Sequence, residues 1–146
     1  MQGAVLEVRI KRKKGEGTVP ATCLSLVEGH GIEGDLHYDP EGASKRQVLL
    51  LDRRTLEAEG YKPGVLREQI LVDFEPLESL EPGARLRVGS AILEITTDCT
   101  PCATMAGYVG EDAQTFVQRM MHRRGMLAKV IQSGTVTAGD SVELWK

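Results

Sequence analysis

Short runs in which apolar and polar residues alternate make up most of the hydrophobic pattern of this chain. Residues 4–10 alternate in this way and are rich in β-branched side chains, which predicts a β-strand. Residues 18–26 predict a second strand, with Pro20 placing part of it at an edge or a bulge. Six further segments have the length and composition of strands: residues 47–51, 70–74, 84–88, 91–96, 126–131 and 141–145.

Two segments instead carry the signals of helices. Asp52 is placed to cap a helix over residues 53–59, and Gly60 can end that helix in a left-handed turn. Residues 111–124 begin with acidic side chains and end with arginines, as the helix dipole prefers, and Gly125 follows as a stop signal.

The order of these elements predicts the fold class. Gly89-Ser90 is suited to the two-residue turn of a hairpin, and the strands follow one another in a mostly antiparallel succession without a β-α-β rhythm or a repeat. Seven or eight short strands and two helices predict a mainly β fold, a β-barrel or rolled, mostly antiparallel sheet with a few short helices at its rim. The length of 146 residues predicts a single domain over residues 1–146.

Charge and composition argue against several functional classes. A net charge of −3 gives no electrostatic reason to expect nucleic-acid binding. The basic cluster at residues 11–14 is either a solvated turn or a patch for an anionic ligand or partner. No apolar run approaches the ~20 residues of a membrane helix and no signal-peptide core is present, so we expect no membrane association and a cytoplasmic location. The common signatures of P-loop, nucleophile-elbow, zincin and dinucleotide-binding enzymes are absent from the sequence.

Cys99 and Cys102 form a C-x-x-C motif directly after a predicted strand. In a reducing compartment this spacing is typical of a redox dithiol or of half a zinc site. A redox pair is expected at the start of a helix, and no helix is predicted to begin at Cys102. Buried cysteines also act simply as small apolar groups. A zinc site would need two more ligands, which only tertiary folding could bring from Cys23, His30, His37 or His122.

The glycine-rich loop at residues 28–37 carries polar side chains suited to a site. Asp35 and His37 are two residues apart, so an extended backbone would point both to one side, where they could orient a proton or a polar ligand. The alternative is an Asx turn with a surface histidine. Arg46 and Gln47, at the start of the next predicted strand, could donate to an anion or form a strand-end ion pair.

A set of short motifs follows in a fixed order along the chain: Gly34-Asp35-x-His37, Arg46-Gln47-Val48-Leu49-Leu50, Leu66-Arg67-Glu68-Gln69-Ile70, Leu80-x-x-Gly83, Val88-Gly89-Ser90-Ala91, Pro101-Cys102, Arg124-Gly125-Met126-x-Ala128-x-Val130 and Gly134-x-Val136-x-x-Gly139-Asp140-x-Val142. In order and spacing this set resembles a stand-alone MOSC domain, the module named after the C-terminal domain of molybdenum cofactor sulfurase. The resemblance covers nearly the whole chain, from about the first strand to Val142.

The resemblance implies a barrel-like β fold with a single hallmark cysteine, which falls on Cys102, whereas Cys99 has no counterpart. It implies binding of the molybdenum cofactor (molybdopterin) and not of pyridoxal phosphate. A thiolate is a soft ligand suited to molybdenum, and a cysteine can carry sulfur as a persulfide. The residues implied to hold or orient the cofactor are Arg46, Gln47, Arg67, Asp35, His37 and the glycines of residues 31–34, with Cys102 as the metal ligand and catalytic thiol.

Three functions are therefore expected from the resemblance. The first is a protein of molybdenum cofactor metabolism that binds the cofactor or carries its sulfur through Cys102, with sulfur donor or acceptor proteins as partners. The second is a molybdenum-dependent reductase of N-hydroxylated compounds that takes electrons from partner proteins. The third is a module without chemistry that docks a partner enzyme. Where the family often has Arg-Glu-Asn, this chain has Arg67-Glu68-Gln69, which lengthens the amide side chain by one methylene.

Overall fold

The fold is built on eleven strands, most of them short. The computed structural model describes residues 2–145, so the two ends of the predicted domain, Met1 and Lys146, lie outside the described residues. The strands are β1 (Gln2–Ile10), β2 (Val19–Pro20), β3 (Leu24–Val27), β4 (Gly31–Ile32), β5 (Val48–Asp52), β6 (Ile70–Asp73), β7 (Arg85–Val88), β8 (Ala91–Asp98), β9 (Met126–Gln132), β10 (Gly134–Val136) and β11 (Ser141–Trp145). The helices are α1 (Arg53–Glu59), α2 (Ala103–Val109), α3 (Ala113–Met120) and a 3₁₀ helix (Glu75–Ser79).

Seven of the strands close into a barrel. Their order is β11-β7-β8-β9-β5-β6-β1, and β1 pairs with β11 to complete the ring. The β5–β6 pair is parallel, and the other pairs are antiparallel. Because the ring is closed, each of these seven strands has a paired neighbour on both sides. A small sheet of β10, β3 and β4 is formed separately, and β2 pairs with the end of β1.

Strand β5 separates two apolar clusters. Leu50 belongs to the large barrel cluster together with residues of the facing strands, such as Val5, Leu93 and Val130. Leu51, its neighbour in the chain, belongs to a second cluster formed with the helices. Successive side chains of a strand point to opposite faces, so a strand that packs on both sides is apolar throughout. This explains why residues 48–51 form a continuous apolar run.

The predicted fold class, a mainly β barrel with short helices, is confirmed by this architecture. Several local predictions are confirmed as well. The Asp52 side chain accepts a hydrogen bond from the Arg54 backbone N–H at the start of α1, and Gly60 ends the helix with φ of +71°. The hairpin across Gly89-Ser90 also forms, with β7 and β8 paired directly. These features depend on interactions within a few residues, which is why their sequence signals were sufficient.

Two predictions about the strands were wrong. The single strand predicted over residues 18–26 is two strands, β2 and β3, which pair with different partners. A β-α-β unit is also present, because α1 connects β5 to the parallel strand β6. The sequence did not show this unit, since α1 is only seven residues long and its crossover continues through an irregular segment before β6.

The helix predictions at residues 102–124 also need correction. Helix α2 begins directly after Cys102, where no helix was predicted. Of the helix predicted over residues 111–124, only the part that forms α3 is helical. Asp112 caps the start of α3, and the chain leaves helical geometry after Met120. His122 then takes a left-handed backbone conformation, with φ of +64°, which ends any continuation. Within residues 2–145, no helix is long and apolar enough to cross a membrane.

Candidate functional site

A cleft of about 130 Å³ lies on the outer side of the barrel at strands β5 and β9. Its apolar lining includes Leu49 and Leu127, which are paired partners on these two strands and pack with Cys99. The remaining lining residues are polar: Lys11, His37, Arg46, Arg67, Gln69 and Arg124. Four of the lining side chains are lysine or arginine and none is a carboxylate, so the cleft is strongly cationic.

Arg124 is the most buried cation of this cleft, with 6% of its surface exposed. Its Nη2 group lies 3.4 Å from the sulfur of Met105, and its Nη1 group is buried without a hydrogen-bond partner among the described residues. Burial lowers the pKa of the guanidinium, while the nearby Cys99, Glu68 and Cys102 groups act in the opposite direction. A buried charged donor without a partner is energetically unfavourable, and an anion in the cleft would relieve this.

Arg67 forms another part of the wall and joins three elements. Its backbone is left-handed, with φ of +64°, and its Nη1 group donates to the Glu16 carbonyl at 2.6 Å. The guanidinium carbon lies 3.7 Å from the ring centre of Tyr108 on α2. This contact has the geometry of a cation–π interaction. Arg67 therefore connects the cleft both to the turn after β1 and to α2.

Asp35 and His37 form an Asx turn, the alternative that the sequence left open. The Asp35 carboxylate accepts hydrogen bonds from the backbone N–H groups of Lys11, at 2.7 Å, and His37, at 2.8 Å. Burial would raise the pKa of this carboxyl, but hydrogen bonds from the His37 ring and the two N–H groups outweigh it, so its pKa lies below the usual value. The His37 ring is 46% exposed and also lines the cleft.

Gln47 and Gln69 lie in different places. Gln69, which stands at the departure from the family pattern, lines the cleft, and its Oε1 atom accepts from the Leu49 N–H at 2.7 Å. Gln47 does not line the cleft. Its amide group donates to the carbonyls of Gly29 and Ser44, so its visible role is to fix the loop that carries the neighbouring Arg46.

The two cysteines of the C-x-x-C motif are also placed differently. Cys99 is buried and lines the cleft, whereas Cys102 is exposed at the start of α2 and does not line it. The segment between them runs without a turn, and the Cys102 backbone is extended, with φ of −140°. Both thiols are free, one buried and the other exposed. This geometry does not favour the redox-dithiol hypothesis.

The zinc hypothesis likewise lacks a ligand set. Among residues 2–145, no three His, Cys, Asp or Glu side chains are grouped so that they could hold a metal ion. His122 instead contacts Asp98 at 2.8 Å, and His30 contacts the Asp39 carbonyl at 2.6 Å.

Glu68 is a buried carboxyl beside the cleft that the sequence did not single out. It is completely buried, and its Oε2 atom accepts from the Gly64 N–H at 2.7 Å, while Oε1 has no partner among the described residues. Burial raises its pKa.

The sequence also missed Lys11, Arg124 and Cys99 as cleft residues. Lys11 was visible only as part of a basic cluster, and Arg124 only as the end of a predicted helix and as the first residue of a family motif, with no role assigned to it. Their convergence depends on the pairing of strands that are far apart in the chain.

Comparison with known families assigns this architecture. The MOSC domain family matches residues 37–143 of the chain. The chain belongs to the MOSC domain family. The match includes Arg46, Arg67, Cys102 and Arg124 and ends within β11. MOSC domains are associated with functions related to the molybdenum cofactor.

Solved structures share this MOSC chain's fold. The YuaD protein of Bacillus subtilis superimposes with a TM-score of 0.81 at 23% identity, over 99% of this chain and 96% of the other. YiiM from Escherichia coli gives 0.74 at 22% identity, over 100% of this chain and 70% of the other. YiiM from Geobacillus stearothermophilus gives 0.74 at 11% identity, over 99% and 75%. At these identities the likeness concerns the fold alone. No curated protein sequence matches the chain significantly.

Proposed function

We propose that this MOSC protein binds the molybdenum cofactor or a biosynthetic relative and carries the cofactor or its sulfur. The observation that carries the proposal is the buried Arg124 guanidinium, whose Nη1 group has no hydrogen-bond partner within residues 2–145 and which lines a cationic cleft. Such a group favours a ligand with a negative charge and strong acceptor oxygens. The phosphate of the cofactor has both properties.

The residues of the cleft fit this type of ligand. Lys11, Arg46, Arg67 and Arg124 supply cationic donors, and the Gln69 side chain supplies an amide. At about 130 Å³ the cleft is smaller than the 300–1,000 Å³ pockets that enclose a drug-sized molecule. It therefore takes the anionic end of the cofactor, and the rest lies across its mouth.

Asp35 and His37 orient the wall of this cleft. Asp35 fixes the backbone of Lys11 and the position of the His37 ring through its hydrogen bonds. The partly exposed His37 ring can donate to an anion or move a proton at the mouth. Gln47 acts indirectly, because it holds the loop that positions Arg46.

Cys102 is the proposed sulfur carrier, since its exposed thiol is accessible to a donor protein. A cysteine holds sulfur at the persulfide level and passes it to an acceptor thiol or thiolate. When bound, the cofactor itself would supply a molybdenum centre to which sulfur or substrate oxygen can be added. Cys99, at the apolar side of the cleft, packs beneath the ligand.

Retention of the cofactor tests this proposal. The wild type is mixed with freshly released cofactor and desalted, and molybdenum and oxidised pterin are measured. We expect retention by the wild type, loss of at least tenfold in affinity for Arg124→Gln, since hydrogen bonds to charged groups contribute about 1.5–3 kcal/mol, and loss of the sulfur-carrying form for Cys102→Ser. Cys23→Ser removes another exposed thiol and is the matched control. Failure of the wild type to retain cofactor would contradict the proposal.

The same experiment addresses the second candidate function, reduction of N-hydroxylated compounds. In a reductase the Cys102 thiol would ligate the metal, so Cys102→Ser would lose molybdenum as well as sulfur. Turnover of an N-hydroxylated base by the loaded protein with an artificial electron donor would favour this function over sulfur carriage. A protein that retains nothing and turns over nothing would leave the third, a docking module.

A further inference from the structure

Cys99 is the cysteine whose side chain lines the cleft. It is only 6% exposed, and it packs with Leu49 and Leu127 on the apolar side of the cleft. Its backbone N–H donates to the carbonyl of Gly125 at 2.8 Å, which continues the pairing of β8 with β9 by one step. Because Arg124 directly precedes Gly125 and lines the same cleft, the thiol and the buried guanidinium belong to adjoining parts of one wall.

Two observations indicate that this part of the cleft accepts a ligand. The Nη1 group of Arg124 is buried and has no hydrogen-bond partner among residues 2–145, and the described lining contains four cations and no carboxylate. Burial lowers the pKa of Arg124, and Cys99 is the neighbouring group that opposes this lowering most strongly. A ligand that satisfies both groups needs acceptor oxygens for the guanidinium and an atom with which a thiol reacts.

The burial of Cys99 decides what kind of sulfur donor can reach it. A donor protein would have to bring its own cysteine into a cleft of about 130 Å³. This is the space of only a few water molecules, since each takes roughly 30 Å³ of the liquid. The exposed Cys102 is open to such a donor, whereas Cys99 is accessible only to a small molecule. The four cationic side chains favour a small molecule with negative charge.

We propose that Cys99 takes a sulfur atom from a small sulfur oxyanion of the thiosulfate type that binds in this cleft. The oxygens of thiosulfate pair with the Arg124 guanidinium and the other cations, and its polarisable outer sulfur faces the apolar wall at Cys99. This role for Cys99 rests on the proposed function and deepens it, because it names a sulfur donor and a second thiol that carries sulfur.

The reaction is a displacement at sulfur, and it needs no oxidant or reductant. The Cys99 sulfur attacks the outer sulfur of thiosulfate and forms a new S–S bond, while the S–S bond of thiosulfate breaks and its electron pair leaves with sulfite. The thiol proton ends on the persulfide or on the sulfite, so the total charge does not change. The cations that hold the donor also stabilise the charge that develops on the departing sulfite.

Other small ligands would use less of the cleft. Phosphate or sulfate would pair with Arg124 but would leave the thiol of Cys99 without a role. Hydrogen peroxide would react with the thiol, but an uncharged molecule makes no use of four cations. Thiosulfate uses both sides, because acceptor oxygens and a reactive sulfur are joined in one small anion.

Sulfur loading of the cofactor-free protein tests the proposal, with sodium thiosulfate as the probe. We expect the wild type to gain one sulfur atom by intact mass, to release an equal amount of sulfite, and to lose the sulfur as thiocyanate when cyanide is added. Cys99→Ser and Cys99→Ala should gain none. Cys102→Ser and Cys23→Ser each remove an exposed thiol and should load as the wild type does. No loading of the wild type, loading that survives in both Cys99 variants, or loading that is lost in Cys102→Ser would overturn the proposal.

A second comparison tests the position of the oxyanion. Arg124→Gln should raise the thiosulfate concentration for half-maximal loading at least tenfold, because it removes a charged donor. Arg85→Gln removes an equal charge from β7, outside the lining of the cleft, and should leave that concentration unchanged. Equal loading curves for the two variants would overturn the proposal. Thermal melting confirms that each variant is folded, and alkylation of Cys99 by uncharged iodoacetamide confirms that its thiol stays accessible.

The loading experiment and the cofactor experiment fail independently. Retention of the molybdenum cofactor by a wild type that takes no sulfur from thiosulfate would overturn the role of Cys99 and leave the proposed function standing. Loading of Cys99 by a wild type that retains no cofactor would instead overturn the proposed cofactor binding and identify a sulfur-transfer site for small anions.

Discussion

The buried pair of Arg124 and Glu68 shows how single residues define this site. Each is buried, and each leaves one polar atom without a partner in the part of the chain that the structure describes. Burial lowers the pKa of Arg124 and raises that of Glu68, so both are shifted towards their neutral forms. A fold selected for stability alone would replace such a pair with apolar groups. The arrangement is consistent with a site in which an incoming anion completes the environment of the arginine.

Asp35 gives a pH-dependent prediction. Its folded pKa lies below the ordinary value of 3.8. A carboxyl with a depressed folded pKa contributes stability above its unfolded pKa and loses that contribution as the pH falls through the folded pKa. We expect Asp35→Asn to lower the free energy of unfolding by about 1–3 kcal/mol at pH 7, because the backbone N–H groups of Lys11 and His37 lose a charged acceptor. The difference should shrink as the pH falls below about 4.

Urea unfolding between pH 7 and pH 3 measures this effect. Asp73→Asn is the control, because its carboxyl is 41% exposed and forms surface ion pairs with Arg53 and Arg54. Its effect should stay below about 1 kcal/mol. A pH-independent deficit in Asp35→Asn would show that packing, and not the carboxylate charge, accounts for the stability of this turn.

The site could be predicted from the sequence only in part. Asp35, His37 and Arg46 were named from the loop and the strand start, and the family resemblance added Arg67; these four lie in or beside one cleft, whereas the also named Gln47 and Cys102 do not line it. Arg124 was not named as a site residue, because its signals were those of a helix end and of a motif without an assigned role. Its position in the cleft depends on the pairing of β9 with β5 and β8, which no local pattern reveals.

At the scale of elements, local sequence signals predicted helices and turns correctly where a cap or a tight turn is present. The helix boundaries near the cleft were predicted less well. Helix α1 and the β7–β8 hairpin were predicted because a cap or a turn lies within a few residues of each. Helix α2 was missed because Cys102 provides no side-chain cap and its seven residues show little amphipathic pattern. Its stability comes from packing of Met105 and Ala106 against α3 and the barrel, an interaction set by tertiary structure.

The residue directly before β9 is Gly125, and its conformation gives a second prediction. Gly125 has φ of +99°, and a Cβ atom there would lie 2.5 Å from the Leu50 carbonyl oxygen. Gly139 has a similar φ of +93°, but no atom lies within 4 Å of its Cβ position. Gly139→Ala should therefore cost only backbone strain, about 1–2 kcal/mol. Gly125→Ala should cost about 1–3 kcal/mol more, because the strand must move.

Chemical denaturation of the two alanine variants measures this difference. The Gly125 carbonyl also accepts the Cys99 N–H at 2.8 Å, so displacement of the strand shifts the cleft wall. Pyrophosphate affinity should fall in Gly125→Ala and stay at the wild-type level in Gly139→Ala. Equal stability of the two variants would mean that the contact with Leu50 relaxes without moving β9.

At the scale of the whole molecule, barrel closure concentrates charge of one sign. The chain has a net charge of −3, yet the cleft is lined by four lysine or arginine side chains and bordered by the basic turn after β1. The lining residues come from both halves of the chain, from Lys11 to Leu127, and meet because strands β1, β5, β6 and β9 are neighbours in the ring. A positive cleft on an acidic protein focuses the field on anionic ligands.

This separation of charge predicts how binding depends on ionic strength. Exposed cations such as Lys13 and Lys14, in the turn after β1, are screened once the Debye length falls to a few ångströms, whereas the buried Arg124 is screened much less. Pyrophosphate affinity in the wild type should therefore fall about tenfold between 0.05 and 0.5 M salt and then level off. Lys13→Ala/Lys14→Ala should flatten the salt dependence, and Arg124→Gln should keep the slope but lose the binding that remains at high salt. Calorimetric titration over this range measures both effects, and a wild-type affinity that does not change with salt would mean that the exposed cations do not contribute to binding.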